Sequence, residues 1–274
     1  MTTEGRFTTS DGVRIAYFAD DFTDPWRDAP VLLMLHSAMS SSRRFFSMVP
    51  GLARHLRVVR MDTRGHGQSE VPPASVPHDK ERLSQDVLEL LDVLGLDAVH
   101  ILGGSAGGYT GQLLAIHHPA RVKSLSLFSS TPGFKGDQGK RWLAEASVRG
   151  MRAVFGETID ERIPVGEADP RLVQWVLDEI CKNDLEFLKR FIGHWTDTDF
   201  MDQVHRIGCP TLIVEPGAHP IGTGSAFAEM AKRIPNSERV VYENGRHNLY
   251  DYQPDRCVAE VLRFLRHHFP ELRP

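Results

Sequence analysis

Short apolar runs alternate with longer amphipathic stretches along most of the chain. Near the N-terminus, the turn Asp11-Gly12 separates two strand-like stretches, residues 7–9 and 13–18, and predicts a β-hairpin. Short apolar runs bounded by turn residues are typical of buried strands. Further strands are therefore predicted at residues 31–35, 56–61, 98–102, 124–128, 211–215 and 239–242.

Helices are predicted in the longer stretches between these strands. The predicted helices cover residues 43–54, 80–94, 106–117, 225–233 and 254–269. The second of them carries an apolar stripe on one face, formed by Leu83, Val87, Leu90, Leu91 and Leu94. Strands that alternate with helices predict an α/β fold, with a mostly parallel central sheet and helices on both of its faces.

Residues 131–207 interrupt this alternation, because they are rich in helix-forming and aromatic residues. We predict two parts: a core from residues 1–130 and 208–274, and a mostly helical segment at residues 131–207. Most aromatic residues of this segment are expected to form its own core, and one or two to line a pocket. These aromatic residues are Phe134, Trp142, Phe155, Trp175, Phe187, Phe191, Trp195 and Phe200.

The segment Gly103-Gly104-Ser105-Ala106-Gly107 joins a predicted strand to a predicted helix. This is the pattern G-x-S-x-G, in which a strained turn presents the serine and leaves little room for neighbouring side chains. Ala106 begins the helix, so the amides and the dipole of its N-terminus point toward the serine. Ser105 is therefore the candidate nucleophile.

A serine hydroxyl needs an adjacent base to become a nucleophile at neutral pH, and His247 is the candidate. It follows the last predicted strand and the turn Glu243-Asn244-Gly245, which can direct the imidazole back over the sheet. An ordinary imidazole titrates near pH ~6–7, so the rate is expected to fall as the pH drops through this range. His36 and His66 are interpreted as structural histidines.

The serine turn and the histidine turn, together with three other segments, resemble motifs of the α/β-hydrolase fold family and follow one another in the same order. The resemblance extends from about residue 7 to about residue 269. The other segments are residues 31–38, with His36 after an apolar strand; residues 61–69, which read D-x-R-G-H-G-x-S from Asp62; and residues 209–214. Gly245-Arg246-His247 resembles the turn that carries the catalytic histidine of this family. Residues 107–112 and 117–122 are most similar to the 3-oxoadipate enol-lactonases within it.

The resemblance implies that residues 131–207 form a helical cap over the active site and that the backbone amides of Ala38 and Ala106 form an oxyanion hole. It also implies substrate contacts at Ser37, Tyr109, Trp142 and His219. The family often has glycine at the position of Ser37. A serine fits there if its φ is negative.

The family usually places an aspartate after the strand at residues 211–215, but His219 occupies that position here. An imidazole cannot stabilise a protonated His247 as a carboxylate does. We favour Glu215, at the end of this strand, as the replacement acid. Three alternatives remain open: a carboxylate from another segment, with Asp199 and Asp202 the first to examine; a Ser–His dyad; and an inactive site.

Composition favours a cytoplasmic enzyme that acts on a small molecule. The formal net charge of −4 gives no electrostatic argument for binding nucleic acid or an anionic membrane, and no apolar run approaches the ~18 residues of a membrane span. The N-terminus lacks the apolar stretch of a signal peptide. The three widely spaced cysteines, Cys181, Cys209 and Cys257, suggest reduced thiols.

No dinucleotide fingerprint, phosphate-binding loop or metal-ligand spacing is present, so neither a cofactor nor a metal is expected. The oligomeric state is left open, a homodimer included. We expect a serine hydrolase that cleaves an ester, lactone or related acyl compound through an acyl-enzyme. The alternatives are a C–C bond hydrolase or lyase, another cofactor-free activity, and a ligand-binding protein with a degenerate site.

Overall fold

The structure, a computed structural model, describes residues 1–76, 78–134, 136–196, 198–218, 221 and 224–272. Its strands, in chain order, are β1 (Thr2–Thr8), β2 (Arg14–Asp20), β3 (Val31–Leu35), β4 (Arg57–Met61), β5 (Val99–Gly104), β6 (Val122–Phe128), β7 (Gly133–Phe134), β8 (Thr198–Asp199), β9 (Thr211–Pro216) and β10 (Ser237–Tyr242). Its helices are α1 (Val49–Ala53), α2 (Lys80–Val93), α3 (Ala106–His117), α4 (Gln138–Arg149), α5 (Met151–Glu157), α6 (Pro170–Cys181), α7 (Leu185–Trp195), α8 (Gly224–Arg233), α9 (Leu249–Tyr252) and α10 (Pro254–His268).

Eight strands form one sheet in the order β1-β2-β4-β3-β5-β6-β9-β10. The hairpin strand β2 is antiparallel to both β1 and β4, and every later pairing in this sheet is parallel. The predicted α/β class with a mostly parallel sheet is therefore confirmed. Its parallel strands end along one edge, where the loops that follow them lie close together.

The sheet is covered on both faces, and the central strand β3 is apolar and buried at every position. In β3, Leu33 and Leu35 pack in the cluster that includes the buried side chains of α2 and α3. Leu32 and Met34 point to the other face and pack in the cluster that includes α1 and α10. Continuous apolar runs of this kind are expected where helices cover both faces of a parallel sheet.

The helix predicted over residues 43–54 is wrong in its extent. The structure has a 3₁₀ turn at Ser42–Phe45 and the short helix α1. Pro50 lies in the first turn of α1, where its missing N–H does no harm, but it cannot continue a helix from the preceding residues.

The segment between β6 and β9, predicted as a cap, contains the helices α4 to α7 and the short β7–β8 pair. We refer to residues 131–207 as the cap segment. It has an apolar cluster of its own, in which Phe155, Val176 and Leu188 are fully buried.

Candidate active site

Ser105 lies in the tight turn between β5 and α3, with φ 46° and ψ −112°. A positive φ is rare for a residue with a Cβ atom, and strain of this kind costs about 1–3 kcal/mol and persists only where the surroundings enforce it. The turn is held by the Ser105 amide, which donates to the Phe128 carbonyl at 2.9 Å.

The glycines around Ser105 are explained by the close approach of neighbouring backbone. A Cβ atom on Gly107 would lie 2.1 Å from the carbonyl oxygen of Leu35, at the end of β3. A Cβ atom on Gly103 would lie 2.4 Å from the Cα atom of Gly108, on the first turn of α3. Any side chain at these positions would push α3 away from the sheet, so the pattern G-x-S-x-G is a packing requirement here.

Two serines that follow β6 connect Ser105 to the histidine turn. The Ser130 hydroxyl donates to the Ser105 carbonyl at 2.9 Å, and the Ser129 hydroxyl donates to the His247 carbonyl at 2.5 Å. Sequence reasoning missed the positioning role of these serines. The pair Ser129-Ser130 directly after a buried strand was the available signal.

One cavity brings together most of the predicted site residues. Ser105 and His247 line it, and so do Ala38, Ala106, Ser37, Tyr109 and Trp142. Trp142 and Trp195 are the aromatic residues that the cap segment contributes among the described residues, in agreement with the expected one or two. The cavity volume is about 80 Å³. Since a water needs about 10–15 Å³ by this measure, there is room for roughly five to eight waters and thus for a short acyl compound.

Ala38 and Ala106 line this cavity from two different parts of the chain, the loop after β3 and the start of α3. Ala106 is the first residue of α3, where the amides have no partner within the helix. Neither amide donates to another backbone carbonyl in the part of the chain that the structure describes. Ser37 is not among the residues with positive φ, as its side chain requires, and its hydroxyl accepts a hydrogen bond from Tyr250 at 3.1 Å.

The cap segment holds the histidine turn through backbone hydrogen bonds. The His247 amide donates to the Glu161 carbonyl at 3.2 Å, and the Asn248 amide donates to the Arg162 carbonyl at 3.0 Å. Burial, together with the positive charges of Arg162 and Arg44, lowers the pKa of His247 to about 3. The imidazole is therefore neutral, and able to accept a proton, well below the pH range expected from an ordinary histidine.

The expected hydrogen bond between Glu215 and His247 is not formed. The Glu215 carboxylate accepts instead from Arg239 Nε at 2.5 Å, on the neighbouring strand β10. His247 Nδ1 is buried and has no hydrogen-bond partner among the described residues. Glu215 is thus corrected from an acid that orients the base to one half of an ion pair between strands.

The other positions considered for the acid do not replace it in the structure. His219 lies outside the described residues. Asp199 is exposed and its carboxylate accepts from the Met201 amide, while Asp202 is exposed as well. Ser105 and His247 line the same cavity without a direct hydrogen bond between their side chains. Catalytic hydrogen bonds often tighten only when substrate binds.

Two arginines in the cavity wall were missed by sequence reasoning. Arg44 forms a bidentate ion pair with Asp251, in which Nε donates at 2.7 Å and Nη2 makes the second contact. Burial alone would lower the pKa of Arg44, but the Asp251 carboxylate more than offsets this, so its pKa is raised. Arg162, from the cap segment, has no such partner among the described residues. No local motif marks either arginine.

The structural interpretation of His36 and His66 agrees with their contacts. His36 Nε2 accepts from the Thr63 amide at 3.1 Å, and its Nδ1 lies 2.8 Å from the Ser37 carbonyl. His66 Nδ1 lies 3.1 Å from the Arg64 carbonyl. Neither histidine lines the cavity, so both brace the loops that follow β3 and β4.

A group of potential metal ligands lies away from the cavity. Among the described residues, Glu238, His267 and His268 have ligand atoms within 4.8 Å of one another. The His268 ring already lies 3.0 Å from a Glu238 oxygen, so the two side chains satisfy each other.

The sheet order, the strained serine turn and the histidine turn together define a hydrolase of the α/β class. A family model described as alpha/beta hydrolase fold matches residues 30–159. The chain is 31% identical to a hydrolase from Pseudomonas aeruginosa PA01 of known crystal structure, with a TM-score of 0.84 over 96% of this chain and 98% of that one. The protein belongs to the α/β-hydrolase fold family and is an enzyme of that family.

Curated relatives include esterases and lactonases. The pimeloyl-[acyl-carrier protein] methyl ester esterase of Nitrosospira multiformis is 28% identical over 87% of this chain and 95% of its own length. The 3-oxoadipate enol-lactonase 1 of Acinetobacter baylyi is 27% identical over 87% of this chain and 90% of its own length. Within the described residues, no helix is both long enough and apolar enough to span a membrane.

Proposed function

We propose that the protein hydrolyses a small ester or lactone through an acyl-enzyme on Ser105, with His247 as general base. The observation that carries this proposal is the strained turn at Ser105, which opens onto the same cavity as His247 and two backbone amides. The names of the esterase and lactonase relatives support the acyl substrate class.

In the first half-reaction, Ser105 Oγ attacks the acyl carbonyl carbon while His247 takes its proton. The amides of Ala38 and Ala106 stabilise the negative charge that develops on the carbonyl oxygen. The C–O bond then breaks, and His247 returns the proton to the leaving oxygen. In the second half-reaction, water attacks the acyl-enzyme with His247 again as base, and releases the acid and free Ser105.

The base acts as half of a dyad in this proposal, because no described carboxylate reaches His247 Nδ1. Its orientation is maintained by backbone contacts instead. The Ser129 hydroxyl and the amide-to-carbonyl bonds with the cap segment fix the turn on two sides.

The three cysteines are free thiols, which supports the expected cytoplasmic location.

Replacement of the nucleophile tests the proposal. Ser105→Ala should lower kcat for p-nitrophenyl butyrate by several orders of magnitude, with ~10⁶ as the scale for serine nucleophiles. The matched control is Ser84→Ala in α2, where the hydroxyl bonds only to the Lys80 carbonyl, and this variant should keep its activity. If Ser105→Ala retains more than about a tenth of the wild-type rate, Ser105 is not the nucleophile.

A further inference from the structure

Arg162 presents an unbalanced positive charge to the cavity. The residue is only 5% exposed, and it lines the cavity beside His247. Its Nη1 atom donates to the carbonyl and the hydroxyl of Thr158, at 3.1 and 3.2 Å. Its other two nitrogens, Nε and Nη2, make no hydrogen bond to any residue that the structure describes.

This arrangement differs from that of the other buried arginines in the described structure. Arg44 is paired with Asp251, Arg60 with Asp20 at 2.7 Å, and Arg64 with Asp86 at 2.6 Å. A buried charge is costly without a counter-charge, which is why such groups are normally paired. Arg162 forms no ion pair with a described carboxylate.

Neighbouring groups in the described structure do not pair with this charge. The guanidinium lies 4.6 Å from the centre of the Trp142 ring, and a cation–π contact holds the side chain without neutralising it. Glu161 precedes Arg162 and acts on it through its charge, but the two side chains make no ion pair. Burial raises the pKa of Glu161, which weakens this contribution by favouring the neutral carboxyl. Burial lowers the pKa of Arg162 only to about 10, so the guanidinium remains charged at neutral pH.

From this geometry we infer that the substrate carries a free carboxylate in addition to the acyl group that is cleaved, and that Arg162 binds this carboxylate. The inference rests on the proposed function and names its substrate class: half-esters of short dicarboxylic acids, or lactones that bear a carboxylate. A guanidinium presents two N–H groups that match the two oxygens of a carboxylate. One cation balances one negative charge, which favours a carboxylate over a phosphate monoester with nearly two.

The position of Arg162 connects carboxylate binding to the reacting groups. The Arg162 carbonyl accepts from the Asn248 amide, directly after His247. A carboxylate bound here offsets a positive charge that faces the imidazole of the base. The small cavity limits the distance between this carboxylate and the acyl carbon to a few bonds.

The test compares monomethyl succinate and monomethyl glutarate with the corresponding dimethyl esters, which are neutral and of similar shape. In the wild type, kcat/KM should be at least ~10-fold higher for the half-esters, since hydrogen bonds to charged groups have this magnitude. Arg162→Met should lower the ratio of the two kcat/KM values by at least ~10-fold, and Arg162→Lys should restore part of it. The matched control is Arg152→Met in the same segment, an exposed arginine that pairs with Asp178, and it should leave the ratio unchanged.

Each outcome decides one of the two proposals. Equal kcat/KM values for half-esters and dimethyl esters, or a ratio that Arg162→Met does not change, would overturn the carboxylate site while Ser105-dependent hydrolysis stands. If no ester is hydrolysed, the proposed function fails, and calorimetry with glutarate decides the inference separately. Glutarate binding that is present in the wild type and in Arg162→Lys but lost in Arg162→Met supports the site, and the absence of binding to the wild type overturns it.

Discussion

The charge around His247 distinguishes this site at the scale of single residues. The imidazole faces Arg162 and Arg44, and its Nδ1 has no carboxylate among the described residues. Its pKa of about 3 keeps the ring neutral but makes it a weak base, because a general base is most effective with a pKa near the working pH. A substrate carboxylate on Arg162 would compensate for part of this weakness by raising the pKa of His247.

Replacement of Glu215 separates the predicted acid from the observed ion pair. Glu215→Gln should reduce kcat/KM by less than ~10-fold, whereas the loss of a triad acid costs as much as ~10⁴. The variant should instead lose about 1–2 kcal/mol of unfolding free energy, because Glu215 is buried while its partner Arg239 is partly exposed. Ester kinetics and urea unfolding measure the two effects, and a loss of ~10⁴ in kcat with normal stability would restore Glu215 as the acid.

Ser105 and His247 could be predicted from the sequence because each depends on a local pattern next to a strand. The roles of Glu215 and Arg162 depend on which groups the fold places beside them. Arg239, the ion-pair partner of Glu215, lies on another strand. That no described carboxylate pairs with Arg162 is visible only once the chain is folded. Local sequence carries no record of such contacts.

The strained turn between β5 and α3 is the element on which the site depends. It is built from close contacts between backbones, since Gly103 pairs with Leu35 across the sheet and Gly107 lies against the Leu35 carbonyl. The nucleophile and the loop that carries Ala38 are thereby held together.

Gly107→Ala tests this packing. The added methyl group would meet the Leu35 carbonyl at 2.1 Å, so α3 must shift. We expect a loss of about 1–3 kcal/mol in unfolding free energy and a fall in kcat of roughly 10²-fold as Ser105 moves. Gly193→Ala in α7 is the control, because its Cβ atom would meet nothing within 4 Å, and it should be neutral or stabilising. Equal stability and activity of the two variants would contradict this account of the turn.

At the same scale, α3 and β3 were predicted with their observed bounds, because each is an apolar run with turn residues or proline at its ends. The prediction failed at residues 43–54, where Pro50 interrupts the segment predicted as one helix. The fold class was accessible from the order of such elements.

Buried histidines influence the stability of the whole molecule. Burial lowers the pKa of His36 and His100 to about 4, and that of His66 and His247 to about 3. In the unfolded chain these groups take up protons near pH 6.5, the ordinary pKa of a histidine. Their contribution to stability is therefore complete above about pH 6.5 and is lost as the pH falls toward 3–4.

Urea unfolding at pH 7 and pH 5 measures this loss. Each histidine should contribute about 1.4 kcal/mol per pH unit within the window, so the midpoint should fall steeply. His100→Gln should lower by about one the number of protons taken up on unfolding, and so make stability depend less on pH. The matched control is His118→Gln, at the exposed end of α3. The prediction is wrong if wild type and His100→Gln lose the same free energy between the two pH values.

The central claim is that Ser105 is an activated nucleophile, and a fluorophosphonate probe tests it most directly. After reaction of the folded protein and digestion, mass spectrometry should find the probe on the peptide that contains Ser105. Labelling should be absent in Ser105→Ala and strongly slowed in His247→Ala, since the base activates the hydroxyl. Labelling of a different serine, or no labelling of the folded wild-type protein, would contradict the claim.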